Sequence, residues 1–119
     1  MPAHTERRQT IRINVNGTLS VEGLSAGQAL HLVDIGTGGF SVRSPAAIAV
    51  NATAAYRFSA PDKKWSAIFG ARAVYCRLLA PDGQTPHYLT GLVFVNTEAP
   101  DMQRQLMLMI DLATSLSFS

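Results

Sequence analysis

Arg8-Gln9-Thr10-Ile11-Arg12 sets two guanidinium groups four residues apart on a polar segment, and Asp34-Ile35-Gly36-Thr37-Gly38-Gly39 forms a glycine-rich turn opened by a carboxylate. An arginine can fork onto O6 and N7 of a guanine or onto a phosphate. A carboxylate accepts hydrogen bonds only, and so suits the N1/N2 donor edge of the same base. Taken together, the two elements suit an anionic, guanine-bearing small molecule. Each also has a plainer reading. Arginines near a terminus are commonly a solvated leader, and Asp with glycines serves many hairpin turns. A nucleotide-triphosphatase loop does not fit, because no Lys-Ser/Thr follows the glycines and strands rather than a helix come next.

Positioning those groups requires a scaffold, and the alternation of apolar and polar residues says which. Ile11, Ile13 and Val15 alternate with Arg12, Asn14 and Asn16, the period of a half-buried strand that begins inside the arginine segment. Gly17 and Gly23 are placed to bend or interrupt it. Further strands are expected over residues 29–35 and 40–43, joined by the glycine-rich turn, and over 51–59, with Tyr56 and Phe58 on one face. A long strand over 65–79, bending at Gly70, and a last one over 87–96 complete the set. Ala60-Pro61-Asp62-Lys63 and Ala80-Pro81-Asp82-Gly83 are turns in which Pro presets φ and Asp bonds the following backbone. From Pro100 the period changes: Met102, Leu106, Met109, Ile110, Ala113 and Leu116 recur at helical spacing, with Met107, Leu108 and Leu112 widening the apolar face. These elements make a mainly β protein: a small six-stranded antiparallel barrel followed by a C-terminal helix over about 100–116. Residues 1–10 are expected to be a flexible, arginine-bearing leader, and 11–119 the barrel domain with its closing helix.

The 119 residues hold one domain, and 47% hydrophobic against 15% charged residues is the balance of a packed core rather than a disordered tail. A formal net charge of +2 is too small for bulk nucleic-acid binding. The basic character is local instead, with Arg7, Arg8 and Arg12 crowded together. Cys76 is the single cysteine; it stands in an apolar run and is expected to be an inert thiol. The first residues lack the apolar stretch of a signal peptide, and no apolar segment approaches the roughly 20 residues that span a bilayer. A soluble, cytoplasmic protein without membrane insertion is expected. His4, His31 and His87 are scattered with no partners at ligand spacing, so no metal site is expected. No nucleophile–base pair or carboxylate pair suggests an enzyme, and no cofactor is implied.

The spacing of the two opening motifs resembles the PilZ domain family, whose signature is RxxxR followed by [D/N]xSxxG. Arg8 to Arg12 match the first part and Asp34 to Gly39 the second. Phe40-Ser41-Val42 after the turn, Gly91-Leu92-Val93-Phe94 and the closing helix extend the likeness over nearly the whole chain. The resemblance implies a barrel that binds cyclic di-GMP. Arg8 and Arg12 would then grip guanine edges and phosphates from the leader, and Asp34 would accept from guanine N1 and N2. Gly39 would keep a Cβ away from the ligand, and Arg7 would stack on guanine in an intercalated ligand dimer. One position departs: the family serine is Gly36 here. A missing neutral hydrogen bond removes roughly 0.5–1.5 kcal/mol, which weakens binding by up to about tenfold.

The resemblance implies a stand-alone cyclic di-GMP receptor, expected to order its leader on binding and to signal through an unidentified protein partner. The Met-rich helix leaves self-association into a homodimer open. Two alternatives stand beside this: a degenerate PilZ scaffold without nucleotide binding, favoured by Gly36, and a small barrel that stacks single-stranded DNA or RNA, opposed by the modest charge.

Overall fold

In a computed structural model, which describes residues 13–14, 19–25, 28–62 and 64–117, the alternating apolar positions become the inner face of a closed sheet. The strands are β1 (Ile13–Asn14), β2 (Ser20–Gly23), β3 (Gln28–Ile35), β4 (Gly39–Ser44), β5 (Thr53–Ser59), β6 (Ser66–Leu79) and β7 (His87–Val95). One helix, α1 (Pro100–Ser117), follows them. The strands run β3-β2-β5-β6-β7-β4, and β4 returns to pair with β3, so six antiparallel strands form a barrel. Closure removes the unpaired edge that would otherwise recruit another chain.

β3 carries two segments on one edge. β2 pairs with its first half, Val21 opposite Leu30, and β1 with its far end, Ile13 opposite Ile35 and Asn14 opposite Asp34. The opposite edge of the same strand is taken by β4. Of the first strand expected from the alternation the structure describes β1; residues 15–18, where Gly17 is expected to bend or interrupt it, lie outside the described residues.

The core is aromatic. Phe40, Phe58 and Phe69 are fully buried, and Phe40 meets Phe58 edge-on at 4.9 Å and Tyr56 at 5.6 Å between centroids. Phe94 joins both Phe40 and Phe69 at 5.3 Å. Such pairs add about 0.5–1.5 kcal/mol each beyond the area they bury. Leu106, Met109 and Ala113 of α1, spaced three and four apart, belong to the same cluster. Pro100 and Asp101 occupy the first turn, where a fixed φ and a negative charge are favoured. The wide apolar face is only partly used: Met107 and Leu108 are 51% and 48% exposed.

Several element ends differ from the alternation for local reasons. Asn51 and Asn96 adopt positive φ, 74° and 58°, which no strand accommodates. β5 therefore starts at Thr53 and β7 stops at Val95, inside the ranges expected from sequence. The Asp62 side chain accepts from Lys64 N at 2.9 Å as expected, whereas the second turn closes through its backbone, Gln84 N donating to Pro81 O at 3.1 Å with Gly83 at φ 75°. β6 passes Gly70 in unbroken register with Ala55 and Val95. Its register shift against β7 falls instead between Ala73 and Tyr75.

Candidate ligand-binding site

The glycine-rich turn joins β3 to β4 and is pinned from two sides. Gly36 N donates to Gly39 O at 2.9 Å, closing the turn, and Phe94 N donates to Gly38 O at 3.0 Å, tying it to β7. Gly36 is buried. Gly39 has a packing reason of its own: a Cβ built there would lie 2.0 Å from the Leu92 carbonyl oxygen. Only glycine lets β4 approach β7 so closely, whatever binds outside. At Gly38, by contrast, a Cβ would meet nothing within 4 Å.

Asp34 stands half-buried near the end of β3, opposite Ser41 of β4. Ser41 pairs onward with Gly91 of β7, and Gly91 with Tyr75 of β6. These four positions form one row across the outside of the barrel. They line, with residues 38–40, Val74 and residues 92–93, an open hollow of about 530 Å³. β1 pairs at the Asp34 end of this row, Asn14 directly opposite Asp34. In the sequence Arg12 immediately precedes Ile13. Arg7, Arg8 and Arg12 themselves lie outside the described residues. Of the site residues expected from sequence, the structure thus brings Asp34 and Gly39 to the hollow and sets Gly36 in the turn behind it.

Tyr75 is the contributor that strand alternation misses. Strict alternation would assign successive residues of β6 to opposite faces, but Val74 and Tyr75 are both 42% exposed. The register shift between Ala73 and Tyr75 is a bulge, and a bulge re-aims side chains. The Tyr75 ring covers Gly91, where a Cβ would fall 2.2 Å from a ring carbon, and the Arg77 guanidinium lies over the ring at 5.8 Å from its centroid. An aromatic ring at one side of the hollow and a carboxylate at the other supply a stacking surface and a hydrogen-bond acceptor in one site. The glycine at 91 was the available signal, since a bare strand position leaves room for a neighbour's ring.

Elsewhere the chemistry is sparse. Thr90 Oγ1 donates to Cys76 Sγ at 3.3 Å, and Cys76 is half-buried. Among the described residues no three His, Cys, Asp or Glu side chains are grouped to hold a metal ion, and no helix is long and apolar enough to cross a membrane.

Scans of sequence-family models and of curated protein sequences give no match. Solved structures do. The PilZ domain of Escherichia coli YcgR with c-di-GMP superposes with a TM-score of 0.65 at 20% identity, covering 93% of this chain and 92% of that one. The c-di-GMP complex of K. pneumonia MrkH gives 0.72 at 15% identity over 93% of this chain and 54% of MrkH. The Bacillus subtilis inhibitor of motility (MotI/DgrA) gives 0.60 at 17% over 88% of this chain and 50% of its own. The chain thus spans about half the length of the last two. At these identities the likeness is one of architecture, and the strand order, the turn after β3 and the closing helix place the chain in the PilZ-like fold.

Proposed function

We propose that the chain is a receptor for cyclic di-GMP. The observation that carries this reading is the row Asp34–Ser41–Gly91–Tyr75 lining an open hollow, with β1, which follows the arginine segment in the sequence, paired at its Asp34 end. Two of the similar structures, YcgR and MrkH, are complexes with c-di-GMP, which supports the same ligand here. Arg8 and Arg12 supply forked donors for guanine O6/N7 and phosphate, and Asp34 accepts from guanine N1 and N2. Tyr75 offers its ring to a base. Arg7, next to the pair, stacks on a second guanine and sets whether one or two ligand molecules are held.

Binding draws the leader over the hollow, an order-on-binding change of the kind that exposes or hides a surface. A protein partner reads the ordered leader or the exposed Met107 and Leu108 face of α1. The reading needs neither catalysis nor nucleic acid, and it places the protein in the cytoplasm. Gly36 favours one second reading, a PilZ-like scaffold that has lost the nucleotide, because position 36 lacks the serine hydroxyl of the family motif.

Calorimetric titration with cyclic di-GMP of the wild type and of an Arg8→Ala/Arg12→Ala variant tests the proposal. Micromolar or tighter binding that the variant loses is the expected result. Absence of heat with the wild type at high ligand concentration refutes the receptor reading and leaves the scaffold.

A further inference from the structure

The described arginines fall into two groups. Arg57 pairs with Glu22 at 3.2 Å across strands, and Arg104 with Asp101 at 3.0 Å along the helix. Arg43, Arg72 and Arg77 make no ion pair or hydrogen bond among the described residues. All three are exposed on the barrel strands that bear the hollow. Side chains two apart along a strand share a face, so the register says where each stands. Arg72 is paired with Val93, which lines the hollow, and its neighbours Ala71 and Ala73 are fully buried, so Arg72 is on the outer face. Arg77 is two residues beyond Tyr75 on the same face and lies over its ring. β6 thus presents the exposed ring of Tyr75 between two cations without carboxylate partners among the described residues.

Asp34 and Tyr75 sit on strands separated by three steps of the sheet, β3 to β4 to β7 to β6. At about 4.8 Å per step the hollow is roughly 14 Å across, with its lining carboxylate on one side and the arginines on the other. A ligand with a hydrogen-bond donor edge at one end and anionic or acceptor groups at the other matches that polarity. Resting on the receptor reading above, we propose that Arg72 and Arg77 form a sheet-borne anion site that binds the phosphate or guanine O6/N7 groups of the ligand on the side of the hollow away from Asp34. The leader's arginines and the sheet's arginines then divide the work. Arg77 is already steered by its contact with the Tyr75 ring and so loses little freedom on binding.

The test is titration of the full chain with cyclic di-GMP using Arg77→Ala, Arg77→Met, Arg72→Ala and, as control, Arg104→Ala, with melting temperatures recorded for each. Arg77→Met keeps a long side chain against the ring and removes the charge together with the N–H donors. Loss of a charge-assisted hydrogen bond weakens binding by roughly tenfold or more, and that is expected for Arg77→Ala and Arg77→Met. Arg72→Ala is expected to lose about fivefold at 0.1 M salt and less as salt rises, because an exposed charge is screened. Arg104→Ala should bind as the wild type does. Wild-type binding with all β6 variants within twofold of it overturns the sheet-borne site and leaves the receptor standing. Weakening by Arg77→Ala but not by Arg77→Met reduces Arg77 to a packing support and likewise overturns it. No wild-type binding overturns the receptor reading, and this site with it.

Discussion

Replacing Gly39 by alanine should damage the barrel before it damages any ligand contact. The new Cβ would lie 2.0 Å from the Leu92 carbonyl oxygen, and reaching even 3.0 Å requires β4 and β7 to part by about 1 Å. The neighbouring bond from Phe94 N to Gly38 O, now 3.0 Å, would stretch toward 4 Å, beyond any useful hydrogen bond. Losing one or two such bonds at about 1–3 kcal/mol each puts the cost near 3 kcal/mol. At roughly 4 °C per kcal/mol for a chain of this size, the melting temperature should fall by about 12 °C. Gly38→Ala is the matched control, since its Cβ meets nothing within 4 Å; it should change stability by no more than about 0.5 kcal/mol. Gly91→Ala supplies the contrast, because its clash is with the Tyr75 ring rather than with backbone. That clash should be relieved in the Gly91→Ala/Tyr75→Ala double variant, with a coupling of about 1 kcal/mol or more. Thermal and urea unfolding of these four variants, and of Tyr75→Ala to complete the cycle, measure all of this. Should Gly39→Ala melt within about 2 °C of Gly38→Ala, the strand-approach argument is refuted, and the glycine must be explained by the ligand alone.

Other outcomes follow from single residues. Gly36→Ser restores the hydroxyl of the family motif and should tighten cyclic di-GMP binding by up to about tenfold; no gain on titration would show that this turn does not present position 36 to the ligand. Burial raises the Tyr56 pKa above its ordinary 10.0, so the unfolded chain ionises first as pH climbs. The stability Tyr56 contributes is therefore whole below about pH 10 and lost as pH rises through the folded-state value, and Tyr56→Phe should flatten that alkaline decline. An unchanged slope in urea unfolding between pH 9 and 11 would contradict it. Met107→Glu, at a position 51% exposed, should leave melting temperature and ligand affinity unchanged while abolishing self-association or partner capture through α1. Identical sedimentation and partner binding before and after the change would remove that face from the signalling path.

Much of this architecture is legible in the residues. The alternation at positions 29–35 and 87–96 and the 3–4 spacing of Leu106, Met109 and Ala113 locate β3, β7 and α1 to within a residue or two, because burial on one face leaves a periodic trace. The Asp34 turn is legible because carboxylate and glycines are adjacent in the chain. What escapes is what depends on strands remote in sequence. Nothing near Gly39 announces the Leu92 carbonyl that demands a glycine, and nothing around Val74 reveals that its partner strand is one residue short there. Asn51 and Asn96 end their strands through backbone conformation, which a hydrophobic pattern does not record. The arginine segment is readable as a motif, while the pairing of β1, which follows it in the sequence, at the Asp34 end of the row becomes visible only through the Asn14–Asp34 rung.

That rung has a consequence for how the molecule would be watched. β1 has two residues, yet it pairs with β3 at the edge of the hollow and is also in contact with α1. So short a strand has little stability of its own and persists only while both neighbours hold it. The backbone amides of Ile13 and Asn14 are therefore natural reporters. Their exchange with solvent should slow when a ligand docks the arginine segment, so a single pair of resonances would register its arrival.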